Sequence, residues 1–353
     1  MDLQRYLTHS KVDVYFKQSK DDFVVTEIPL YQFSGEGEHL ILKIRKKNLS
    51  TWDMVSILSD SIGCKSRDIG YAGLKDKNAM TVQYISMHRK FEEKIDALEH
   101  PQIKVLEKTY HNNKIRVGHL KGNKFFIRLK RVQEIHRRIL EDVLSQIATY
   151  GMPNYFGFQR FGIDGDNYKK GEAICRGELK ERNRKLRQMY INAYQSYQFN
   201  KWLSKRVEIS KIISNFSIDE IVTQFDISKE SLKKLKKQKH PFKLLQGELM
   251  SHYPFGKIFY CEDIKSESNK FYLKDRVPTG VLSGKKARYS AQDAFKFEEE
   301  FIVETQEQGS RRFAWVFPSE IESDYKEEKG WFELSFSLPK GSYATEFIAE
   351  LIH

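Results

Sequence analysis

A single carboxylate, Asp76, lies between two lysines in segment 70–83, which reads Gly-Tyr-Ala-Gly-Leu-Lys-Asp-Lys-Asn-Ala-Met-Thr-Val-Gln. Because neighbouring cations favour the ionised form of an acid, Lys75 and Lys77 predict that Asp76 is a carboxylate at neutral pH. An ionised carboxylate on a loop can be a nucleophile, a base or a metal ligand. It can equally be half of a surface ion pair, and this segment alone favours that simpler interpretation.

Two further segments combine a strand or turn with side chains that could bind a planar ligand. Lys17 precedes segment 21–27, Asp-Asp-Phe-Val-Val-Thr-Glu, so Lys17 could pair with a carboxylate while Phe23 stacks on a ring. In segment 120–126, Gly122 permits a close approach and Asn123 offers a donor and an acceptor to a base edge. The local alternatives are a core Phe23, a solvated Lys17 and an ordinary turn before a strand.

Segment 153–162, Pro-Asn-Tyr-Phe-Gly-Phe-Gln-Arg-Phe-Gly, interleaves aromatic rings with Asn154, Gln159 and Arg160. Such a mixture suits stacking on, and hydrogen bonding to, unpaired nucleotides, so these three are candidate substrate-binding residues. The segment also suits a hydrophobic plug at a domain boundary. The residues by themselves favour the two interpretations equally.

The charge of the chain points to a polyanionic partner. Its 353 residues include 60 Lys and Arg against 48 Asp and Glu, a formal net charge of +12. A nucleic acid or an anionic membrane would fit this excess. No apolar run approaches the roughly 18–20 residues that span a bilayer, so we expect no membrane partner. The N-terminus lacks signal-peptide features and the three cysteines are far apart, so we expect a reduced, cytoplasmic protein.

The sequence offers no motif for a cofactor or a metal. It contains no Walker-type loop, GxGxxG or HExxH, and its histidines have no metal-ligand spacing. Asp164 and Asp166 are not followed by the ligand pattern of a calcium loop, so a turn is the better interpretation. We therefore expect neither a cofactor nor a metal.

Strand and helix patterns at both ends of the chain flank a helical middle. Periodicity and turn residues predict strands at 22–28, 39–46, 82–87, 103–110, 114–120, 124–132 and 332–338, with 103–110 and 114–120 joined as a hairpin. Helices are predicted from the N-cap Ser50 to about residue 62, over 134–150, over about 182–206 and after Ser342. This order suggests one mixed domain interrupted by an inserted one, with the last strand returning to the first sheet. Two sequential domains fit nearly as well.

Taken in order, these segments resemble the TruD family of pseudouridine synthases. The resemblance rests on Lys17 and 21–27, on 35–39 (Gly-Glu-Gly-Glu-His), on 72–83, on 120–123, on 153–162 and on 341–345 (Gly-Ser-Tyr-Ala-Thr). Together these matches span nearly the whole chain, although little between about 165 and 310 takes part.

The resemblance implies an α+β fold with two domains. The pseudouridine-synthase catalytic domain, built on a mixed, mostly antiparallel sheet, would comprise 1–153 and 311–353, and an inserted α/β TRUD domain would comprise 154–310. The implied reaction is isomerisation of uridine in transfer RNA, typically at position 13, without cofactor or metal. Transfer RNA is the implied partner, other RNAs stay open, and nothing requires more than a monomer.

The resemblance also implies roles for individual residues. Asp76 falls on the catalytic aspartate and Lys17 on the basic residue that partners it. Phe23 and Asn123 fall on positions that contact the target nucleotide. Tyr343 stands where relatives often have Phe, so the stacking ring is kept and a hydroxyl is added. The sequence leaves open whether Asp76 attacks the sugar or the base.

Two other classes of function are weighed against this one. In an RNA-binding or RNA-folding protein without chemistry, Asp76 would only anchor its loop. A base-directed enzyme of another type, such as a methyltransferase, has no cofactor-pocket motif to support it.

Overall fold

The computed structural model describes residues 2–16, 21–75, 77 and 79–353. Its strands are β1 Phe23–Pro29, β2 His39–Lys47, β3 Gly70–Tyr71, β4 Met80–His88, β5 Ile103–His111, β6 Leu120–Lys130, β7 Met152–Pro153, β8 Leu249–His252, β9 Ile258–Tyr260, β10 Arg276–Leu282, β11 Ser310–Phe313, β12 Trp315–Val316, β13 Ser319–Lys326 and β14 Trp331–Pro339. Its α-helices are α1 Thr51–Ile62, α2 Glu92–Asp96, α3 Glu134–Tyr150, α4 Asn167–Cys175, α5 Arg184–Asn215, α6 Ile218–Ile221, α7 Lys229–Lys236, α8 Ile264–Tyr272, α9 Gln292–Lys296 and α10 Ala344–Ile352.

The chain groups into two compact units. The first, here called the sheet unit, comprises Val12–Glu141 and Pro318–Gly341. The second unit comprises Met1–Lys11, Asp142–Phe317 and Ser342–His353. The domain boundaries predicted from the family resemblance, 1–153 with 311–353 and 154–310, stay a prediction.

The sheet unit is built on one eight-stranded sheet. Its strand order is β13-β14-β6-β1-β4-β2-β5, with β3 paired to β4. Among the described strand pairs, β1 and β4 run parallel and the others run antiparallel. The predicted α+β class and the mixed, mostly antiparallel sheet are therefore confirmed.

The end of the chain completes the sheet that its beginning starts. β14 pairs antiparallel with β6, from Trp331 opposite Lys130 to Pro339 opposite Gly122. A Cβ on Gly122 would lie 2.2 Å from the carbonyl oxygen of Leu338, so the two strands approach too closely for any side chain there. The predicted return of the last strand to the first sheet is confirmed.

The predicted hairpin between 103–110 and 114–120 is wrong. β5 pairs with β2 at the sheet edge, with His111 opposite His39. β6 begins at Leu120 and lies between β1 and β14. The asparagines at 112 and 113 signal a change of direction, but a turn signal does not select the partner strand, which here is distant in sequence.

Helix α1 is fixed by local signals at both ends. The Ser50 hydroxyl accepts from the Asp53 N–H at 3.1 Å, and the Asp53 carboxylate accepts from the Ser50 N–H at 2.9 Å, forming a capping box. Gly63 ends the helix in the left-handed conformation, with φ of 69°. The buried face of α1 packs on β2 and β4 in a cluster that includes Met54, Leu58, Leu42, Ile44 and Ile85. One face of the sheet is thus covered in part by α1, which packs on it through buried apolar side chains.

The second unit is built around the 32-residue helix α5 and a four-stranded sheet of order β11-β10-β8-β9. Its aromatic core includes Phe199, Trp202 and Trp315, all at most 1% exposed. α5 continues to Asn215, past the predicted end near 206, because Val207, Ile209 and Ile213 extend its buried stripe. Within the described part of the chain, no helix is both long and apolar enough to cross a bilayer.

Candidate active site

The two residues predicted to carry the chemistry, Asp76 and Lys17, lie outside the described residues. Their roles therefore stay predictions. The residues on both sides of Asp76 are described, however, and they define how the chain enters and leaves position 76.

A group of polar side chains shares one face of the sheet. Residues directly opposite each other in a sheet point to the same face, and Glu27 of β1 is opposite Asn123 of β6. Val25, two residues before Glu27, is opposite Thr81 of β4, and Thr81 is opposite Lys46 of β2. Because side chains alternate along a strand, this face carries Lys46, Thr81, Gln83, Glu27 and Asn123.

The residue before Asp76 is held by a buried ion pair. The Lys75 ammonium lies 2.7 Å from the Oε2 of Glu27, with side chains 6% and 1% exposed. Glu27 also accepts from the Tyr84 backbone N–H at 3.4 Å. Burial raises the pKa of Glu27, and the Lys75 charge opposes that rise. The Lys75 ammonium thus forms an ion pair with Glu27. From the sequence alone, this cation was considered only as a neighbour of Asp76.

A chain of hydrogen bonds fixes the backbone at the same point. The Lys75 N–H donates to the Oγ1 of Thr51 at 2.9 Å. The Thr51 hydroxyl in turn donates to the Oε1 of Gln83 at 3.1 Å. Thr51 is the first residue of α1, so the helix, β4 and residue 75 are joined through one hydroxyl. The backbone of residue 75 is therefore hydrogen-bonded to the first turn of α1 and, through it, to β4.

Several polar atoms on this face have no hydrogen-bond partner among the described residues. They are the Thr81 Oγ1, the Gln83 Nε2 and the Asn123 Oδ1, all buried. A buried polar atom without a partner costs free energy unless a ligand or another group satisfies it. Lys46, fully buried opposite Thr81, donates to the Leu49 carbonyl at 2.5 Å. These atoms can therefore form hydrogen bonds with a group that lies outside the described residues.

Phe23 and Asn123 lie on this same face of the sheet unit. The Phe23 ring is 4% exposed and packs 6.1 Å from the Phe125 ring, which itself stacks 5.4 Å from Phe336. Asn123 is half-buried within β6 rather than in a turn. The two lie on neighbouring strands but not side by side, since Phe23 is opposite Ile127 and Asn123 is opposite Glu27. Their contacts with a nucleotide stay predictions.

The other described candidates belong to the second unit. Asn154 is 5% exposed; its Nδ2 donates to the Phe313 carbonyl at 2.9 Å and its Oδ1 accepts from Arg312 at 2.9 Å. Its amide therefore joins segment 153–162 to β11. Gln159 is exposed, and no hydrogen bond from it is found among the described residues.

Tyr343 and Arg160 meet segment 153–162 around one ring. The Phe156 ring lies 6.1 Å from that of Tyr343 and 5.4 Å from the Arg160 guanidinium. A Cβ on Gly157 would lie 2.8 Å from the Tyr343 ring, so this glycine allows the two segments to touch. The structure thus gathers Asn154, Arg160 and Tyr343 into one cluster within the second unit.

Sequence reasoning missed Glu27, Thr51 and Arg312. Glu27 had a usable signal, since it continues the inward-facing alternation of Phe23 and Val25, and a charged residue at a buried position requires a partner. Thr51 and Arg312 had none, because a hydroxyl in a helix first turn and an arginine in a strand are both ordinary. Among the described residues, no cluster of three or more His, Cys, Asp or Glu side chains is placed to hold a metal ion.

Comparison with known proteins then decides the family. The model of the family tRNA pseudouridine synthase D (TruD) matches residues 1–183 and 179–351, nearly the whole chain. The chain belongs to the TruD family. Its resemblance to that family, first seen in the motifs, is thereby confirmed.

Individual relatives agree with this assignment. A protein of Sulfurimonas denitrificans named tRNA pseudouridine synthase D is 52% identical over 99% of this chain and 98% of its own. Proteins of the same name from Wolinella succinogenes and Helicobacter pylori are 53% and 46% identical, over 99% and 100% of this chain and 97% and 96% of theirs. A crystal structure from Methanosarcina mazei, also of the TruD name, covers 99% of this chain and 95% of its own with a TM-score of 0.72. At 20% identity, that structure supports the fold alone.

Proposed function

We propose that this protein is a transfer RNA pseudouridine synthase, which isomerises uridine to pseudouridine. One observation carries the proposal: relatives bearing that name are about half identical to this chain along almost its full length. The geometry of the sheet unit supports it, because Lys75, the residue before Asp76, forms a buried ion pair on a face where three buried polar atoms have no hydrogen-bond partner among the described residues.

The reaction rearranges bonds without adding or removing atoms overall. The N1–C1′ glycosidic bond of uridine breaks and a C5–C1′ bond forms. The proton leaves C5 and N1 gains one, so no oxidant, reductant or group donor is needed. The detached uracil has to stay bound while it turns, and this requires a carboxylate near the reacting atoms, a stacking surface and polar groups on the uracil edge.

We assign these roles to residues of this chain as follows. Asp76 is the catalytic carboxylate, and Lys17 keeps it ionised and oriented through a charge-assisted hydrogen bond. The Lys75–Glu27 pair and Thr51 set the direction in which the chain presents position 76. Holding the residue before the carboxylate reduces the conformational freedom that is lost on reaching the transition state, and this favours rate.

The remaining candidates bind the nucleotide. Phe23 and Tyr343 stack on or flank the uracil, and Asn123 binds its polar edge through the Oδ1 that has no partner among the described residues. Asn154 supports this function by holding segment 153–162, while Gln159 and Arg160 face RNA from the same segment. Stacking on aromatic rings stabilises an extruded base by about 1–3 kcal/mol, comparable to the cost of extruding it.

The substrate and setting follow from the same family. We propose position 13 of transfer RNA as the target, the cytoplasm as the place where that RNA is met, and a monomer as the acting form. The net charge of +12 supports binding to the phosphates of the RNA. Affinity for transfer RNA should therefore fall steeply as salt rises.

The proposal is tested with unmodified transfer RNA carrying tritium at C5 of uridine. The purified protein is incubated in parallel without and with a methyl donor, tritium release is counted, and the nucleosides of the digested RNA are measured by mass spectrometry. Release with no change in nucleoside mass supports isomerisation. Tight RNA binding without release would point to an RNA-binding protein, and a mass increase that needs a methyl donor would point to a methyltransferase; either result refutes the proposal.

A further inference from the structure

A half-buried arginine of the second unit, Arg312, holds segment 153–162 without an acidic partner. Its guanidinium lies 3.9 Å from the centre of the Phe156 ring. Its Nε donates to the Asn154 carbonyl at 3.1 Å, and one terminal nitrogen donates to the Asn154 Oδ1 at 2.9 Å. The acceptors are neutral, so the positive charge of Arg312 is not compensated by these contacts.

The contrast with the preceding residue is direct. Arg311 forms an ion pair with Glu298 at 2.7 Å, with both side chains at most 2% exposed. Among the described residues, no carboxylate forms an ion pair with Arg312, and its titratable neighbours are the Tyr343 phenol and the Arg160 guanidinium. Burial lowers the pKa of Arg312 to about 10, which leaves it protonated at neutral pH.

A second cation lies over the same ring. The Arg160 guanidinium is 5.4 Å from the Phe156 ring centre, and its Nε donates to the Ser196 hydroxyl at 3.0 Å. The described part of the chain offers it no ion pair. Two arginines therefore lie near one ring, and among the described residues neither is paired with a carboxylate. An anion bound there would be attracted by both charges.

Two hydroxyls lie close to Tyr343 in the sequence. The Ser342 Oγ and the Thr345 Oγ1 are buried and have no hydrogen-bond partner among the described residues. They flank Tyr343, whose ring is 5.9 Å from the Arg312 guanidinium. A Cβ on Gly157 would lie 2.8 Å from the Thr345 Oγ1, so this hydroxyl sits directly against segment 153–162. Hydroxyls and guanidinium groups together form a set of donors.

We propose that Arg160, Arg312, Ser342 and Thr345 form a subsite that binds one backbone phosphate of the RNA next to the target uridine. A phosphate fits because it accepts several hydrogen bonds at once and compensates both arginines. Its place beside the target rests on the proposed function, in which Tyr343 between the two hydroxyls contacts the uracil.

The test uses the full-length protein and transfer RNAs ligated from synthetic pieces. Each RNA carries one neutral methylphosphonate linkage, scanned across the linkages around the target uridine. Wild type, Arg160→Ala, Arg312→Lys and Arg176→Ala are compared by fluorescence anisotropy over a range of salt. Arg176 is the matched control, because it lies on the same unit and is paired with Glu172 at 2.7 Å. Circular dichroism and melting curves check that each variant is folded.

For wild type, one linkage beside the target should weaken binding about tenfold when neutralised, as expected for a charge-assisted contact. Arg160→Ala should bind the unmodified RNA about tenfold more weakly, and neutralising that same linkage should weaken it no further. Its plot of log affinity against log salt should be shallower by about 0.7 to 0.9. Arg312→Lys should change in the same direction, and Arg176→Ala should match wild type.

If the loss of affinity caused by Arg160→Ala adds to the loss caused by neutralising each linkage, the subsite is refuted. An unchanged salt slope for Arg160→Ala would refute it as well. Either result would leave Arg160 and Arg312 with a structural role. Arg160→Ala decides this result even if Arg312→Lys does not fold. Tritium release by wild type is measured on the unmodified RNA in parallel. If wild type releases tritium and the losses of affinity are additive, only the subsite is refuted. If wild type releases no tritium, the proposed function is refuted separately.

Discussion

The Lys75 ammonium lies 2.7 Å from the Glu27 carboxylate, and both side chains are almost completely removed from solvent. Lys75 immediately precedes Asp76, while Glu27 lies on the buried face of β1. The pair therefore connects the central strand of the sheet to the residue that bears the proposed chemistry. A buried pair is sensitive to loss of one partner, because the other charge is left without compensation.

Glu27→Gln should destabilise the protein and slow the reaction. The substitution leaves the Lys75 ammonium buried without a carboxylate, at a cost on the order of 3 kcal/mol. We expect a lower melting temperature and a reduced rate of tritium release at saturating RNA. The double variant Glu27→Gln, Lys75→Met removes both charges and should regain part of the stability. Equal stability of Glu27→Gln and wild type would show that the pair does not support this loop.

Thr51→Val tests the hydrogen bonds that fix the Lys75 backbone. Valine keeps the shape but loses the hydroxyl that accepts from Lys75 N–H and donates to Gln83. We expect a loss of about 1–3 kcal/mol in the free energy of unfolding, because buried partners are left unsatisfied. We also expect kcat to fall more than KM changes. The control is Thr149→Val, because the Thr149 hydroxyl donates to the Ser145 carbonyl at an exposed position of a helix. An equally large decrease in kcat for this control would contradict the positioning role of Thr51.

Glu350 should make stability fall as pH rises toward neutrality. Its carboxyl is 1% exposed and accepts from the Leu7 N–H at 2.8 Å. Burial raises its pKa to about 7, against 4.5 for an exposed glutamate, despite the opposing Leu7 hydrogen bond and the charges of Arg5 and Lys211. Between these two values the folded state holds a proton that the unfolded state releases, so the free energy of unfolding decreases with rising pH.

Glu350→Gln removes this titration while keeping an oxygen that accepts from Leu7. We therefore expect urea unfolding to show that the free energy of unfolding of Glu350→Gln rises relative to that of wild type between pH 5 and pH 8. Glu300→Gln, at an exposed position, is the control and should follow wild type at both pH values. A difference between Glu350→Gln and wild type that does not change with pH would contradict the assignment.

The sequence predicted elements well where the determining signals are local. Ser50 and Gly63 mark both ends of α1, and the alternation of Phe332, Leu334, Phe336 and Leu338 marks β14. The predicted hairpin of 103–110 with 114–120 is wrong because β5 pairs with β2, and that pairing depends on contacts distant in sequence. Turn residues carry no information about such contacts.

The same distinction applies to the candidate site. Motif resemblance identified Phe23 and Asn123, which the register places on neighbouring strands of one face. Glu27 and Thr51 act through contacts with Lys75, which lies 48 and 24 residues further along the chain. Of the two, only Glu27 had a signal in the sequence, a charged residue at a buried strand position. Arg312 was missed because its contacts with Asn154 and Phe156 join segments far apart in the chain.

The central claim is that Asp76 carries the chemistry, and single-turnover tritium release by Asp76→Asn tests it most directly. The control is Asp68→Asn, because Asp68 is an exposed carboxylate that, like Asp76, precedes β4 in the chain. We predict that Asp76→Asn binds transfer RNA with unchanged affinity and releases no tritium, while Asp68→Asn releases it at the wild-type rate. Release by Asp76→Asn at a rate close to that of wild type would contradict the account.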